Sequence, residues 1–161
     1  MWRALLPLAL LATAAGPPPE ASRPTAVAYE APVVAPVTDP FRPPATPYGP
    51  GNRGLEYATE PGGVVRAAAG GVVTFAGPVA GALHVTVRHA DRARTTYAGL
   101  ASVAVEAGEV VEPGQVVGTS GATLLWTLRL GEAYLDPAVA LAASGRGGVR
   151  LVPVREGLGG D

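Results

Sequence analysis

The sequence contains no cysteine and only two histidines, His84 and His89. Without thiols, a disulfide framework, a cysteine nucleophile and cysteine-ligated zinc are all excluded. Aromatic residues make up 6% of the chain, and the net charge is -1 with an isoelectric point near 6.1. A balanced charge of this kind gives no electrostatic basis for nucleic-acid binding. Beyond residue 15 no apolar run is long enough to span a bilayer, so we expect no membrane span in the mature chain.

Recognisable catalytic motifs are also missing. His84 and His89 are separated by an odd number of residues on one predicted strand, which places them on opposite faces. We therefore interpret both as surface or turn histidines rather than as joint ligands of a metal. No serine lies in a G-x-S-x-G elbow, and no G-x-x-x-x-G-K-[ST] phosphate loop is present. The residue types alone predict no active site.

Glycine and proline are abundant, and their distribution divides the chain. Residues 1–15 combine a positive start, an apolar run and an A-x-A-like site, which predicts a secretory signal peptide; an ordinary Ala/Leu-rich helix is the alternative. Residues 16–50 hold 11 of the 17 prolines, so we predict an extended, disordered Pro/Ala-rich linker over 16–40. Pro-rich ligand recognition, with residues 40–43 as a candidate motif, is the alternative there. A domain over 41–142 and a flexible tail over 143–161 follow.

Within the domain the pattern is that of short strands. Segments 70–77, 83–89 and 94–100 are bounded by turn residues or alternate apolar with polar residues. Residues 103–118 carry β-branched runs between glycine turns, in which Gly108 and Gly114 are expected to have positive φ. A small-residue loop, a final strand, one helical turn at 137–143 and an edge strand at 149–154 complete the prediction. The fold class is mostly β, a compact antiparallel sheet with the valines of 85–87, 103–105 and 116–117 in its core.

Five segments carry a recognisable order of motifs. They are N-R-G-L-E at 52–56, P-G-G-V-V-R-A-A-A-G-G-V-V at 61–73, T-Y-A-G-L at 96–100, a valine- and glycine-rich segment at 105–118, and W-T-L-R-L-G-E-A-Y-L-D-P at 126–137. In this order they resemble the lysostaphin-like, LytM-type zinc peptidases of the cell wall, over residues 41–141. The resemblance implies a duplicated-hybrid-motif β fold and an extracytoplasmic, cell-wall location.

The resemblance also implies which positions would carry the chemistry. In the active family, zinc is held by the His and Asp of H-x-G-x-D and by the second His of a late H-x-H. The His of Y-x-H-L and the first His of H-x-H handle the activated water. Those five positions are occupied here by Asn52, Glu56, Gly99, Thr123 and Leu125. An amide is a poor zinc ligand, and leucine and glycine are none, so we expect a pseudoenzyme with no catalytic residues, no metal and no cofactor.

These five positions are expected to converge on one face of the sheet as a groove without zinc. If the groove binds glycan or peptide, Tyr57, Tyr97 and Trp126 are the expected contacts, because their rings can stack on sugars; core packing is the alternative. The expected function is an exported, catalytically inactive LytM-like domain that binds peptidoglycan or regulates a cell-wall hydrolase such as an amidase. A purely structural secreted β-domain and an active metalloendopeptidase with an unrecognised metal site are the alternatives.

Overall fold

A computed structural model describes residues 25–46 and 48–145. The predicted signal peptide at 1–15, the first part of the predicted linker and the predicted edge strand at 149–154 lie outside the described residues. The strands of the described part are β1 (Val37–Asp39), β2 (Gly54–Ala58), β3 (Val64–Arg66), β4 (Gly71–Val79), β5 (Ala82–Arg88), β6 (Arg94–Val103), β7 (Val110–Val111), β8 (Val116–Leu130) and β9 (Ala133–Leu135), and one helix, α1 (Pro137–Ser144), follows them.

All nine strands of the described residues join one sheet in the order β1-β2-β8-β6-β5-β4-β7, with β3 and β9 also paired to β8. Each of these pairings is antiparallel. The mostly antiparallel β fold predicted from the sequence is therefore confirmed. Because β8 is 15 residues long, it can pair with β2, β3, β6 and β9 and so organises the centre of the sheet.

Alternation along the strands determines which face of the sheet is buried. Val85 and Val87 of β5 are fully buried, as are Val65 of β3 and Val117 and Leu128 of β8. The predicted core valines are thus mostly confirmed, and Val103 packs against this core from a partly buried position. Val116 is the error, because it is 37% exposed and β8 directs alternate side chains to opposite faces.

The predicted linker over 16–40 is corrected by the structure from residue 25 onward. Tyr29 is 2% exposed and belongs to the core, and β1 lies within the segment. Proline lacks a backbone donor but keeps its carbonyl acceptor. Here the carbonyls of Pro32 and Pro36 accept hydrogen bonds from the backbone N–H groups of Arg66 and Ala58, at 2.9 and 3.0 Å. The segment is therefore docked on the sheet through its acceptors.

Two further features differ from the sequence prediction. The small-residue loop expected before the final strand is replaced by β8, which continues from Val116 through Gly121 to Leu130. Ser120 supports this path, since its hydroxyl donates to the carbonyl of Glu60 at 3.1 Å. At the other end, α1 is eight residues long and is capped by Asp136, whose carboxylate accepts from the N–H of Ala138. No helix of the described residues is long and apolar enough to cross a membrane.

Candidate functional site on the open face of the sheet

Strands β2, β6 and β8 present one face to the core and the opposite face outward. Leu55, Tyr97 and Trp126 point into the core, and all three are buried. The residues between them in sequence point the other way, because side chains alternate along a strand. We call this outward surface of β2, β8, β6 and β5, together with Tyr134 of β9, the open face.

Cross-strand pairing arranges the open face in three rows. The Glu56 row consists of Glu56, Leu125, Ala98 and His84, the threonine row of Thr127, Thr96 and Thr86, and the arginine row of Tyr134, Arg129, Arg94 and Arg88. Successive rows are two residues apart along each strand, which corresponds to about 7 Å. The face thus runs from a carboxylate at one end to arginines at the other.

The Glu56 row contains two of the three positions that the resemblance assigned to metal binding. Glu56 pairs directly with Leu125, so the two Cβ atoms are about 5 Å apart. On its other side Glu56 pairs with Asp39 of β1, a carboxylate that was not among the predicted site residues. Asp39 is already ion-paired with Arg42. The strand register thus places Glu56 beside Leu125 on one side and beside Asp39 on the other.

Asn52 is held by hydrogen bonds of its own. Asn52 lies in the turn that precedes β2, and the residue is only 7% exposed. Nδ2 donates to the carbonyl of Asp39 at 3.0 Å, and Oδ1 accepts from the N–H of Gly54 at 3.1 Å. Since both polar atoms of the amide are engaged, Asn52 fixes the start of β2 and is not directed at a ligand.

Gly99 and Thr123 meet at an irregular place in the β6–β8 ladder. The register shifts between Ala98 and Leu100, and Gly99 has φ +87°. A Cβ placed on Gly99 would lie 2.7 Å from the carbonyl oxygen of Thr123, closer than real contacts allow. The backbone at this bulge therefore fits glycine, and a histidine side chain at position 99 would force it to change.

The structure corrects the expectation that Tyr57, Tyr97 and Trp126 contact a ligand. Their exposed fractions are 3%, 0% and 0%, on the core side of the sheet. Burial raises the pKa of Tyr57 and raises that of Tyr97 to about 12, against the opposing effect of hydrogen bonds with the Ala68 N–H and with Thr95. No face of these rings is available to a sugar, and the core-packing alternative applies to all three.

His89 also differs from its predicted surface position. It lies beyond the end of β5 and is buried, with Nδ1 2.9 Å from the carbonyl of Gly70 and Nε2 2.8 Å from the hydroxyl of Thr95. Since a carbonyl only accepts, Nδ1 carries a proton. His84 lies on the open face, in the Glu56 row, so the two histidines lie in different environments.

Comparison with known proteins identifies the family to which this fold belongs. The family model for peptidase family M23 matches residues 50–137, which is more than half of the chain, and the chain therefore belongs to this family. Over 71 residues it is 41% identical to the DD-carboxypeptidase/endopeptidase Mpg of Neisseria meningitidis serogroup B. That match covers 44% of this chain and 16% of the relative, so the chain spans about one sixth of that protein's length.

Solved structures extend the likeness of the fold. Csd3 of Helicobacter pylori, from an orthorhombic crystal, superposes with a TM-score of 0.65 at 23% identity, over 80% of this chain and 38% of Csd3. A chain of the SpoIIQ–SpoIIIAH pore-forming complex superposes with a TM-score of 0.61 at 24% identity, over 73% of this chain and 92% of that one. At these identities the likeness concerns the fold.

Membership of the family raises the question whether these residues could hold a metal ion. Within residues 25–46 and 48–145, no three histidine, aspartate or glutamate side chains lie together as a ligand group. Around Glu56 the donors are an amide whose atoms are both engaged, an aspartate paired with Arg42, and the apolar Leu125. Catalytic zinc takes three nitrogen, sulfur or carboxylate ligands and one open position, and this donor set does not fit it.

The arginine row was not predicted from the sequence. Arg129 and Arg94 pair across β8 and β6, and a cleft of about 160 Å³ opens beside them. The signal was present, because R-x-T at 94–96 and T-x-R at 127–129 alternate with the buried residues Thr95 and Leu128. What could not be read from the sequence was the register that brings the two segments opposite each other.

Proposed function

We propose that this chain is an M23 domain without peptidase activity that is exported and binds peptidoglycan at the cell wall through its open face. The observation that carries the proposal is the Glu56–Leu125 pair at the family's metal position. One free carboxylate facing an apolar side chain cannot complete a three-ligand zinc site. The sheet around it is nevertheless intact, so the surface on which the family's chemistry is built is still available for binding.

The relatives support a peptide-containing ligand. The Neisseria protein is named for DD-carboxypeptidase and endopeptidase activities, which are reactions on peptides. Because the chain spans only a small part of that protein, we carry over recognition of peptide and not the reaction. Export is supported by the signal-peptide pattern of residues 1–15.

Sedimentation with purified peptidoglycan tests the proposal. We expect the full chain to sediment with insoluble peptidoglycan, to release no soluble fragments from it, and to contain well under one zinc per chain. Leu125→Asp should weaken sedimentation, because it adds a charge to the open face next to Glu56. Val139→Asp is the matched control, since Val139 is 59% exposed on α1, outside that face.

Each other result of this experiment has a definite meaning. Release of fragments by a protein that carries stoichiometric zinc would establish the active-peptidase alternative. Failure of the parent chain to sediment would refute binding to peptidoglycan and leave the regulatory and the structural candidates. Equal loss for Leu125→Asp and Val139→Asp would remove the open face as the binding surface.

Regulation of a cell-wall hydrolase is a second candidate function. The SpoIIQ–SpoIIIAH complex supports it, because a chain with this fold was solved there together with another protein. Co-purification of the exported chain from its own cells tests this candidate. A hydrolase retained by the parent and lost from Leu125→Asp, but not from Val139→Asp, would favour regulation over direct binding to the wall.

A further inference from the structure

Two arginines face each other across the centre of the sheet. Arg94 of β6 and Arg129 of β8 are register partners, and Arg88 of β5 is the register partner of Arg94 on its other side. Directly opposed side chains have Cβ atoms about 5 Å apart, and like charges in this position destabilise a sheet. The fold therefore holds positive charge at a place where strand pairing alone disfavours it.

Internal counterions neutralise only part of this charge. Arg129 forms an ion pair with Glu132, whose side chain is 92% exposed, and donates from Nε to the carbonyl of Gly131 at 2.8 Å. Arg94 reaches the same carbonyl only at 3.5 Å, and no carboxylate within residues 25–46 and 48–145 forms an ion pair with it. One exposed glutamate thus serves a row that contains three arginines.

The surroundings of the pair are rich in hydrogen-bond donors. The cleft of about 160 Å³ has no acidic side chain in its wall, and its lining consists of Thr86, Arg94, Thr96, Thr127, Arg129 and Tyr134. The hydroxyls of Thr86 and Thr96 are 3.0 Å apart and hydrogen-bonded to each other. The guanidinium of Arg129 lies 5.6 Å from the centre of the Tyr134 ring, which helps to orient it. A lining of guanidinium and hydroxyl groups without a carboxylate suits an anionic group.

We propose that Arg94 and Arg129, with the threonine row, form a subsite for a carboxylate of an extended peptide that lies along the open face. Guanidinium groups bind carboxylates through paired, charge-assisted hydrogen bonds. The bound carboxylate would offset the repulsion between the two arginines. This inference rests on the proposed function for the peptide nature of the ligand, and it adds where the ligand's negative group lies.

The opposite end of the open face sets the direction of the peptide. Arg42 offsets the charge of Asp39 there, and Glu56 remains as a carboxylate on the open face. A second negative group on the ligand would therefore be repelled by Glu56, and a cationic group would be attracted. The Glu56 row and the arginine row are four residues apart along β8, which corresponds to about 13 Å or about four extended residues. The expected ligand is therefore a short peptide with a carboxylate at one end and an amine about four residues away.

Titration of the full chain with tetra-alanine, followed by amide NMR, tests this inference. The peptide has a free amine and a free carboxylate, and we expect it to shift the resonances of residues 94, 96, 127 and 129. The same peptide with an amidated carboxyl end should bind about tenfold more weakly or worse, since charged hydrogen bonds are lost. Acetylation of the amine should weaken binding less and should leave the shifts at 94 and 129 in place.

Variants assign the effect to the two arginines. Arg94→Gln and Arg129→Gln should each reduce binding of the free peptide to the level of the amidated one. Arg66→Gln is the control, because it also removes one positive charge. Arg66 lies on β3 opposite Val116, at the far end of β8, so binding should be unchanged. Arg94→Gln should not lower the melting temperature, since it removes a like-charge pair.

Specific results would overturn the subsite. Equal binding of the free and amidated peptides to the parent chain would do so without reference to any variant. Inorganic phosphate that shifts residues 94 and 129 while the peptide does not would assign the arginines to a phosphate ligand instead. If the parent chain binds tetra-alanine but does not sediment with peptidoglycan, the proposed function is refuted and the subsite is not. If the parent chain sediments with peptidoglycan but does not bind tetra-alanine, the subsite is refuted and the proposed function is not.

Discussion

The hydroxyl of Tyr29 donates a 2.8 Å hydrogen bond to Oδ2 of Asp91, which lies 62 residues further along the chain. The other carboxylate oxygen of Asp91 accepts from the N–H of Ala93, and the N–H of Tyr29 donates to the hydroxyl of Ser144. Burial and the Asp91 carboxylate raise the pKa of Tyr29. One residue of the proline-rich segment therefore ties the β5–β6 turn to the end of α1.

Tyr29→Phe is expected to destabilise the protein by about 1–3 kcal/mol, because the buried Asp91 oxygen loses its donor. Tyr48→Phe is the matched control, since Tyr48 is exposed, and it should leave the free energy of unfolding unchanged. Urea denaturation of both variants measures the difference. Deletion of residues 25–40 should cost more than Tyr29→Phe, and a deletion variant as stable as the parent would contradict the docking of this segment.

Strand β5 could be predicted from the sequence, whereas the order of the proline-rich segment could not. Residues 83–89 alternate apolar and polar side chains, which is a local signal, and β5 forms there. The proline-rich segment has no such alternation, and its prolines were interpreted as evidence against structure. Its order depends on carbonyl acceptors and on Tyr29, whose partner Asp91 is remote in sequence. A contact between such distant residues leaves no local pattern that a single sequence can display.

In the candidate site, too, some features could be predicted from the sequence and others could not. The resemblance brought Glu56 and Leu125 to one site, and the β2–β8 register pairs them. Tyr57, Tyr97 and Trp126 were assigned to a ligand because aromatic residues serve both cores and sugar sites. Only the phase of alternation on each strand decides between the two, and a shift of one residue exchanges the faces. The arginine row could not be predicted for the same reason, because the register between β6 and β8 brings Arg94 opposite Arg129.

His89 predicts a pH dependence of stability. Burial lowers its pKa below the ordinary value of 6.5, although the Gly70 carbonyl and Asp91 act in the opposite direction. The unfolded chain therefore binds a proton at a higher pH than the folded chain does. Stability from this group is complete above about pH 6.5 and is lost as the pH falls towards the folded pKa.

Urea unfolding at about pH 7.5 and about pH 5 measures this effect, in a range above the ordinary pKa values of aspartate and glutamate. The parent should be less stable at the lower pH. His84→Gln should keep the same decrease, because His84 lies on the open face and not in the buried cluster. His89→Gln should show a smaller decrease, and an undiminished decrease in that variant would assign the pH dependence to another group.

Gly99 predicts a difference between two glycine substitutions. Gly99 and Gly81 have nearly the same φ, +87° and +86°, but a Cβ on Gly81 meets nothing within 4 Å. Gly81→Ala should therefore cost only the backbone strain, about 1–2 kcal/mol. Gly99→Ala should cost more, because it adds the contact with the Thr123 carbonyl. Thermal unfolding gives both values, and equal losses would mean that the bulge relaxes freely.

The last prediction concerns recovery of a metal site. Asn52→His, Glu56→Asp and Leu125→His together would supply two imidazoles and one carboxylate, the kind of set that holds catalytic zinc. The Glu56–Leu125 pairing already brings two of these positions side by side. Replacement of Asn52 forfeits its hydrogen bonds to Asp39 and Gly54, so the metal-free triple variant should be less stable than the parent.

Elemental analysis of protein purified without chelators should find about one zinc per chain in the triple variant and well under one in the parent. Zinc should raise the melting temperature of the triple variant, since an ion that binds only the folded state stabilises it. The control carries Thr127→His in place of Leu125→His, which keeps the same residue types but moves one ligand about 7 Å along the open face, and it should bind little zinc. Peptidase activity should stay absent, because Gly99 and Thr123 still occupy the positions that the resemblance assigns to handling the water. Stoichiometric zinc in the parent, lost on Glu56→Ala, would contradict this account of the site and favour an active enzyme.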